Sequence, residues 1–282
     1  MHALIGLAAL AFVPYQTEGG VALHWPPGST PIVRVGRAPP EGLDDATVLD
    51  VVATALSTWL GIACEADVPL LDRRPAMLAP ALATTAVDDL DGGVSVVWFD
   101  DANAWNATFG QKELARTLLS FRHVSGEIVD ADVAVNFGNF DFAAAEACSP
   151  DRYDLHATLT HEVGHVMGLD HSLTPSATMA PNAQAGECDK RELDPDDQAG
   201  FCAIYTVPAP LEPDPTPEPE PMVEVVEVAE AEAVRGRDDG CGAGGALDAG
   251  ALAAALAACG VRRVRRASGG CRPRRRPSPA RS

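Results

Sequence analysis

The clearest periodic pattern lies in residues 44–59. Val48, Val51, Val52, Ala55, Leu56 and Trp59 recur at i, i+3, i+4, i+7, i+8 and i+11, one apolar stripe of an amphipathic helix. Asp44 or Asp45 is placed to cap its start. A second pattern has period two. From Ile128 to Phe137, Val129, Ala131, Val133, Val135 and Phe137 alternate with Asp130, Asp132, Ala134 and Asn136. That predicts a half-buried strand with Asp130 and Asp132 on a solvated face; calcium ligation by the pair is the weaker expectation. Val94–Phe99 (VSVVWF) reads as a strand from its β-branched and aromatic content. A short strand over Ile32–Val35 follows the turn at Pro26-Pro27-Gly28. Leu155, Leu159, Val163 and Val166 or Met167 predict a core-facing helix from about Asp154 to Gly168. A last helix is expected from Asp194-Pro195 to about Tyr205, because proline suits the first turn and Asp194, Asp196 and Asp197 suit the positive end of the helix dipole.

The patterns stop at both ends. Residues 3–13 (ALIGLAALAFV) have the length of a signal-peptide apolar core and are too short to span a bilayer. A signal peptide is expected over 1–20 and a folded domain over 21–207. From Pro208, prolines alternate with acidic and small residues, the composition of an extended spacer that cannot build a core; this linker is expected to be disordered over 208–240. The tail, 241–282, combines a Gly/Cys patch, an apolar run from Ala246 to Val261, and an arginine cluster. An apolar run followed by arginines is the layout of a stop-transfer or envelope-anchoring segment.

Charge changes the picture little. The net charge is −19, and setting aside the nine arginines between Arg262 and Arg281 leaves −28 for the rest. An acidic body argues against nucleic-acid binding; only the tail could act as a basic arm. Seven cysteines occur without any CxxC pair. Cys64, Cys148, Cys188 and Cys202 fall in the folded region and suit two disulfides in an exported protein. Three pairings exist for four cysteines; the expected one is Cys188–Cys202, the short loop, with Cys64–Cys148.

The chemistry concentrates in residues 161–171, HEVGHVMGLDH. His161 and His165 are one helical turn apart on one face. Gly168 lets the chain leave the helix through a left-handed conformation, and the turn returns His171. Three imidazoles and one open position form the ligand set of a catalytic zinc. Such a metal lowers the pKa of a water and polarises a carbonyl. Glu162, beside the first histidine, is the candidate general base. HExxH alone recurs by chance; the longer form with its fixed glycine and third histidine is far more specific. Asp170 is expected to be structural. His24, His123 and His156 show no ligand spacing.

At these residues the chain resembles the metzincin zinc endopeptidases, and Ser172 after the third histidine resembles the matrixin branch. ATMAP resembles the matrixin Met-turn, with Met179 beneath the metal. LDPDDQAGFCAIY resembles the C-terminal helix, and GEIVDADVAVNF the edge strand that lines the cleft and pairs with substrate backbone. The resemblance covers roughly Leu23 to Val207. No PRCGxPD-like segment is present, so latency through a cysteine is not expected. The loops that hold structural zinc and calcium in animal matrixins are not recognisable. Ala183 stands where many matrixins carry an aromatic in the wall of the S1′ pocket. The tail resembles bacterial C-terminal sorting signals.

The expected protein is an exported bacterial zinc-dependent endopeptidase, monomeric, extracellular or at the cell surface, acting on extended peptide or protein substrates. Its expected fold is α+β and metzincin-like, a twisted mixed sheet with three main helices. His161, His165 and His171 would hold one Zn2+, Glu162 would activate water and Met179 would brace the site. The alternative is a binding module of the same fold without turnover.

Overall fold

The computed structural model describes residues 11–37, 39–40, 42–64, 70–72, 74–83, 92–208, 223–227 and 232–234. Along the chain the elements are β1 (Val33–Gly36), α1 (Asp45–Leu60), β2 (Leu70–Asp72), β3 (Ala81–Ala83), β4 (Val94–Phe99), α2 (Ala102–Thr108), β5 (Ala115–Arg122) and β6 (Ile128–Asn136). They continue with β7 (Phe142–Ala143), β8 (Tyr153–Asp154), α3 (Leu155–Val166), β9 (Asn182–Gln184), α4 (Pro195–Tyr205), β10 (Thr206–Pro208), β11 (Val223–Glu227) and β12 (Glu232–Val234).

The main sheet runs β3-β1-β4-β6-β5, parallel except for β5, and β11 adds a sixth strand antiparallel to β5. This is the expected α+β architecture with a mixed sheet. Three of its helices are long, and α2 is a short addition capped by Asp101.

The α1 stripe is buried at all six positions, and the Asp44 side chain accepts the Thr47 N–H at 2.8 Å. Asp154 caps α3 by accepting the Ala157 N–H at 2.7 Å. Asp194 and Asp197 form a reciprocal capping box at α4, with Pro195 in the first turn. α1 packs on α3, and the Trp59 indole N–H reaches the Thr160 carbonyl at 2.7 Å.

Two strand expectations are corrected. β6 is not half solvated, because it lies between β4 and β5 and almost every residue in it is buried. Asp130 and Asp132 are therefore inside; Asp130 Oδ1 accepts the N–H groups of Gly92 and Gly93 at 3.0 and 3.1 Å. For the same reason β6 is not the edge strand. That place in the five-stranded frame belongs to β5, a strand the alternation of residues 128–137 overshadowed.

The disulfides are also corrected: Cys64 pairs with Cys202, and Cys148 with Cys188. Trp59 and Phe201 meet at 6.0 Å between ring centroids, which brings the end of α1 against α4. Cys202 thereby faces Cys64. Arg191 ties Cys188's loop to Asp154 and to the carbonyls of Ala145 and Glu146, next to Cys148.

Residues 11–20, expected at the end of a signal peptide, are paired with this body. Pro14 bridges Leu169, the Tyr15 N–H donates to the Gly168 carbonyl at 2.9 Å, and the Ala11 N–H donates to Asp196 Oδ1 at 2.5 Å. Residues 1–10 and the tail, 241–282, lie outside the described residues. Among the described residues no helix is long and apolar enough to cross a membrane.

Candidate metal centre

α3 presents His161 and His165 on one face, both buried. Gly168 then turns the chain at φ +92°, where a Cβ would stand 2.3 Å from the Leu23 carbonyl oxygen, and His171 swings back to the pair. The three rings lie 4.7–5.2 Å apart between centroids. Among the described residues they form the one cluster of three or more metal-competent side chains. Among the described residues the cluster does not include His24, His123 or His156.

Backbone carbonyls set the proton positions. His161 Nδ1 lies 2.6 Å from the Thr178 carbonyl and His165 Nδ1 lies 2.7 Å from the Leu169 carbonyl. A carbonyl can only accept, so each Nδ1 carries the hydrogen and each Nε2 keeps its lone pair. Yet His161 Nε2 is 3.1 Å from His165 Nε2 and 3.3 Å from His171 Nε2. The lone pairs of His161 and His165 at that separation repel unless a cation sits between them. Ligand nitrogens each 2.0–2.1 Å from a tetrahedral zinc stand roughly 3.3–3.4 Å from one another. The donor set fits the ion in chemistry and in spacing.

Electrostatics agree. Burial pushes His161 and His165 well below the usual histidine range, and His171 down to about 4. Neutral imidazole is the form that binds metal. Burial pushes the Glu162 carboxyl the other way, up to about 8, against the pull of Thr117 and Arg116. Glu162 is fully buried; its Oε2 accepts the Thr117 hydroxyl at 2.7 Å, while Oε1 has no hydrogen-bond partner. A carboxylate with one oxygen held and the other open is arranged to accept a proton from a neighbouring group.

The support beneath the cluster runs through one carboxylate. Asp197 Oδ2 accepts the N–H groups of Thr178 (2.7 Å) and Asp194 (2.9 Å), and Oδ1 accepts that of Met179 (3.0 Å). Thr178 in turn presents its carbonyl to His161. Met179 is buried, and its sulfur packs over Gly164, where a Cβ would come within 2.2 Å of it. Ser172 closes the loop, its hydroxyl donating to Asp196 Oδ2 at 2.6 Å and its N–H to the Met179 carbonyl at 2.9 Å. Asp170, the neighbour of His171, is structural in the expected sense: its carboxylate accepts the His171 N–H at 2.6 Å.

The structure brings the motif's three histidines into one cluster, with Glu162 next to His161 on α3 and Met179 packed against Gly164 of the same helix. Sequence reasoning missed Thr117 and Gly164. Gly164 could have been found inside the motif, since a glycine in mid-helix needs a close neighbour to justify it. Nothing local marks Thr117. A narrow cavity beside His161 is lined by Tyr153, Thr158, Ala183, Gln184 and Lys190, among others. Ala183, expected in a pocket wall, is in that wall.

The Matrixin family model matches residues 69–206. Human matrix metalloproteinase-16 is 43% identical over 63 residues, 22% of this chain and 10% of that protein. Human neutrophil collagenase is 26% identical over 137 residues, 48% of this chain and 28% of that protein. Metalloendoproteinase 1-MMP of Arabidopsis thaliana is 42% identical over 52 residues, 18% and 14% respectively. The matched stretches thus span from about a tenth to about a quarter of these relatives' own lengths, and they are consistent with the metzincin-like α+β fold described above.

Proposed function

We propose that this chain is a zinc-dependent endopeptidase of matrixin type that hydrolyses peptide bonds in extended protein substrates. The observation that carries the reading is the convergence of three imidazole Nε2 atoms beside a buried glutamate with one free oxygen. The matrixin match over the same residues supports it.

In this reading His161, His165 and His171 hold the metal. When bound, zinc supplies a Lewis acid that polarises the substrate carbonyl and acidifies water. Glu162 does the proton work: it takes a proton from the attacking water on Oε1 and returns it to the departing amine. Thr117 keeps Oε2 occupied, so that Oε1 is the oxygen that reacts. Asp197, through Thr178, fixes the ring of His161. Met179 packs on Gly164 beneath the cluster and prevents α3 from shifting.

Two disulfides suit an oxidising compartment, which supports export to the cell surface or beyond. The linker and sorting roles of residues 208–240 and 241–282 belong to the same proposal, and so does an export signal that ends before Ala11, because residues 11–20 pair with the folded body.

The test is Glu162→Ala in zinc-loaded protein. Zinc content should stay at one per chain, while hydrolysis of a peptide library falls by about 10²–10⁴. Chelation should abolish hydrolysis in the native chain, and zinc should restore it. Activity unchanged by the substitution would remove Glu162 from its role. Activity indifferent to chelation would end the zinc reading.

A further inference from the structure

The linker expected over 208–240 has no task in the sequence beyond spacing, but the structure gives two of its segments, β11 and β12, backbone partners on both sides of the candidate metal centre. β11 lies antiparallel along β5, with Val223 opposite Arg122 and Glu227 opposite Leu118. The pairing ends one residue short of Thr117, whose hydroxyl holds Glu162. After four intervening residues, β12 runs parallel to β9, with Glu232 opposite Asn182 and Val234 opposite Gln184. β9 belongs to the other wall, since Ala183 and Gln184 line the same cavity as His161. One stretch of chain therefore pairs first with the strand beside Glu162 and then with the strand beside His161.

Main-chain pairing along a sheet edge is how an extended peptide gains affinity with little demand on its side chains. An outer strand such as β5 recruits any chain that offers the complementary ladder. Fourteen residues separate Pro208 from Val223, and a tether that short gives an effective concentration on the order of millimolar. A peptide arriving from solution competes poorly against it.

We propose that strands β11 and β12 act in cis by occupying the edges of β5 and β9 that an extended substrate would pair with, competing with outside peptides. The consequence for turnover rests on the peptidase reading; the occupancy itself does not.

The experiment uses the full chain, zinc-loaded, with and without the double substitution Val225→Pro/Val226→Pro. Successive N–H groups of a strand point to opposite sides, so two adjacent prolines remove at least one ladder bond to β5. Hydrogen–deuterium exchange is measured first, in a Glu162→Gln background where the linker stays whole. Those amides of Leu118–Arg122 that point towards β11 should exchange at least about tenfold faster in the proline variant, with the melting temperature of the body unchanged. Initial rates on a quenched fluorescent peptide follow in the Glu162 chain, confirmed intact by mass. The proline variant should show a KM lower by about fivefold or more at unchanged kcat. Equal exchange along β5 in both chains overturns the proposal, and so does an equal KM. If no zinc-loaded chain hydrolyses the peptide while the exchange difference remains, the peptidase reading fails and the cis occupancy stands.

Discussion

The two walls around the metal centre are held by different forces. The wall built from α3, the turn at 170–181 and α4 is a buried polar network: Asp197, Thr178, Ser172, Asp196 and the histidines each find a backbone or side-chain partner. The wall built from β6 and β5 is held mainly by apolar packing, with Ile128, Ala131, Val133 and Leu119 buried. A polar network fixes angles, because each hydrogen bond is directional. Apolar packing fixes volume and tolerates rearrangement. The helical wall therefore sets the geometry of the ligands, and the sheet wall, through Thr117, holds Glu162 and in the proposed reading offers the edge along which a substrate backbone lies.

The most direct way to break this comparison is to damage each wall by a similar amount. Asp197→Ala strands the N–H groups of Thr178 and Met179, at about 1–3 kcal/mol each, and should also weaken zinc binding about 10–100-fold by freeing His161. Ile128→Ala should cost about 2–5 kcal/mol by opening a cavity and leave zinc affinity unchanged. Urea unfolding together with zinc competition measures both quantities. Equal loss of zinc in the two variants would erase the distinction.

A smaller effect comes from Thr117→Val, where the sheet wall touches the chemistry. The hydroxyl orients Glu162 and holds no metal. kcat should fall about tenfold, with zinc content and KM unchanged and partial recovery in Thr117→Ser. A change in KM alone would place Thr117 in substrate binding instead.

The smallest effect is a pH dependence of the metal-free protein. His161, His165 and His171 have folded pKa values lowered by burial. Their contribution to stability is present above the unfolded value near 6.5 and is lost as pH falls towards about 4 for His171. Glu162 works in the opposite direction: its raised value means stability is lost as pH rises from 4.5 to about 8. The melting temperature of chelated protein should therefore drop on the acid side. Glu162→Gln should raise it at pH 8 and not at pH 4. A flat profile would mean that the cluster is open to solvent.

The same contrast explains what the amino-acid order disclosed. The α1 stripe with a cap at Asp44 or Asp45, the start of the last helix at Asp194-Pro195, and the motif at 161–171 depend on residues within a few turns of one another, and all were legible. Met179 was legible through its short turn. The position of a strand within a sheet is a long-range property. Asp130 and Asp132 carry charge and so read as solvent-facing, but the neighbours of β6 and the Gly92–Gly93 N–H groups lie far away in sequence. Cysteine partners failed for the same reason: Cys64 and Cys202 are 138 residues apart and meet only because Trp59 packs on Phe201. Thr117 acquires its importance solely from the register of β5 against α3.

The bond from the Ala11 N–H to Asp196 has a practical consequence for anyone expressing this protein. Asp196 also holds Ser172, beside the third ligand, and Pro14 bridges Leu169, whose carbonyl orients His165. An expression fragment that begins at residue 21 would discard these braces while keeping every histidine. Fragments should start at or before residue 11, and affinity tags belong at the opposite terminus.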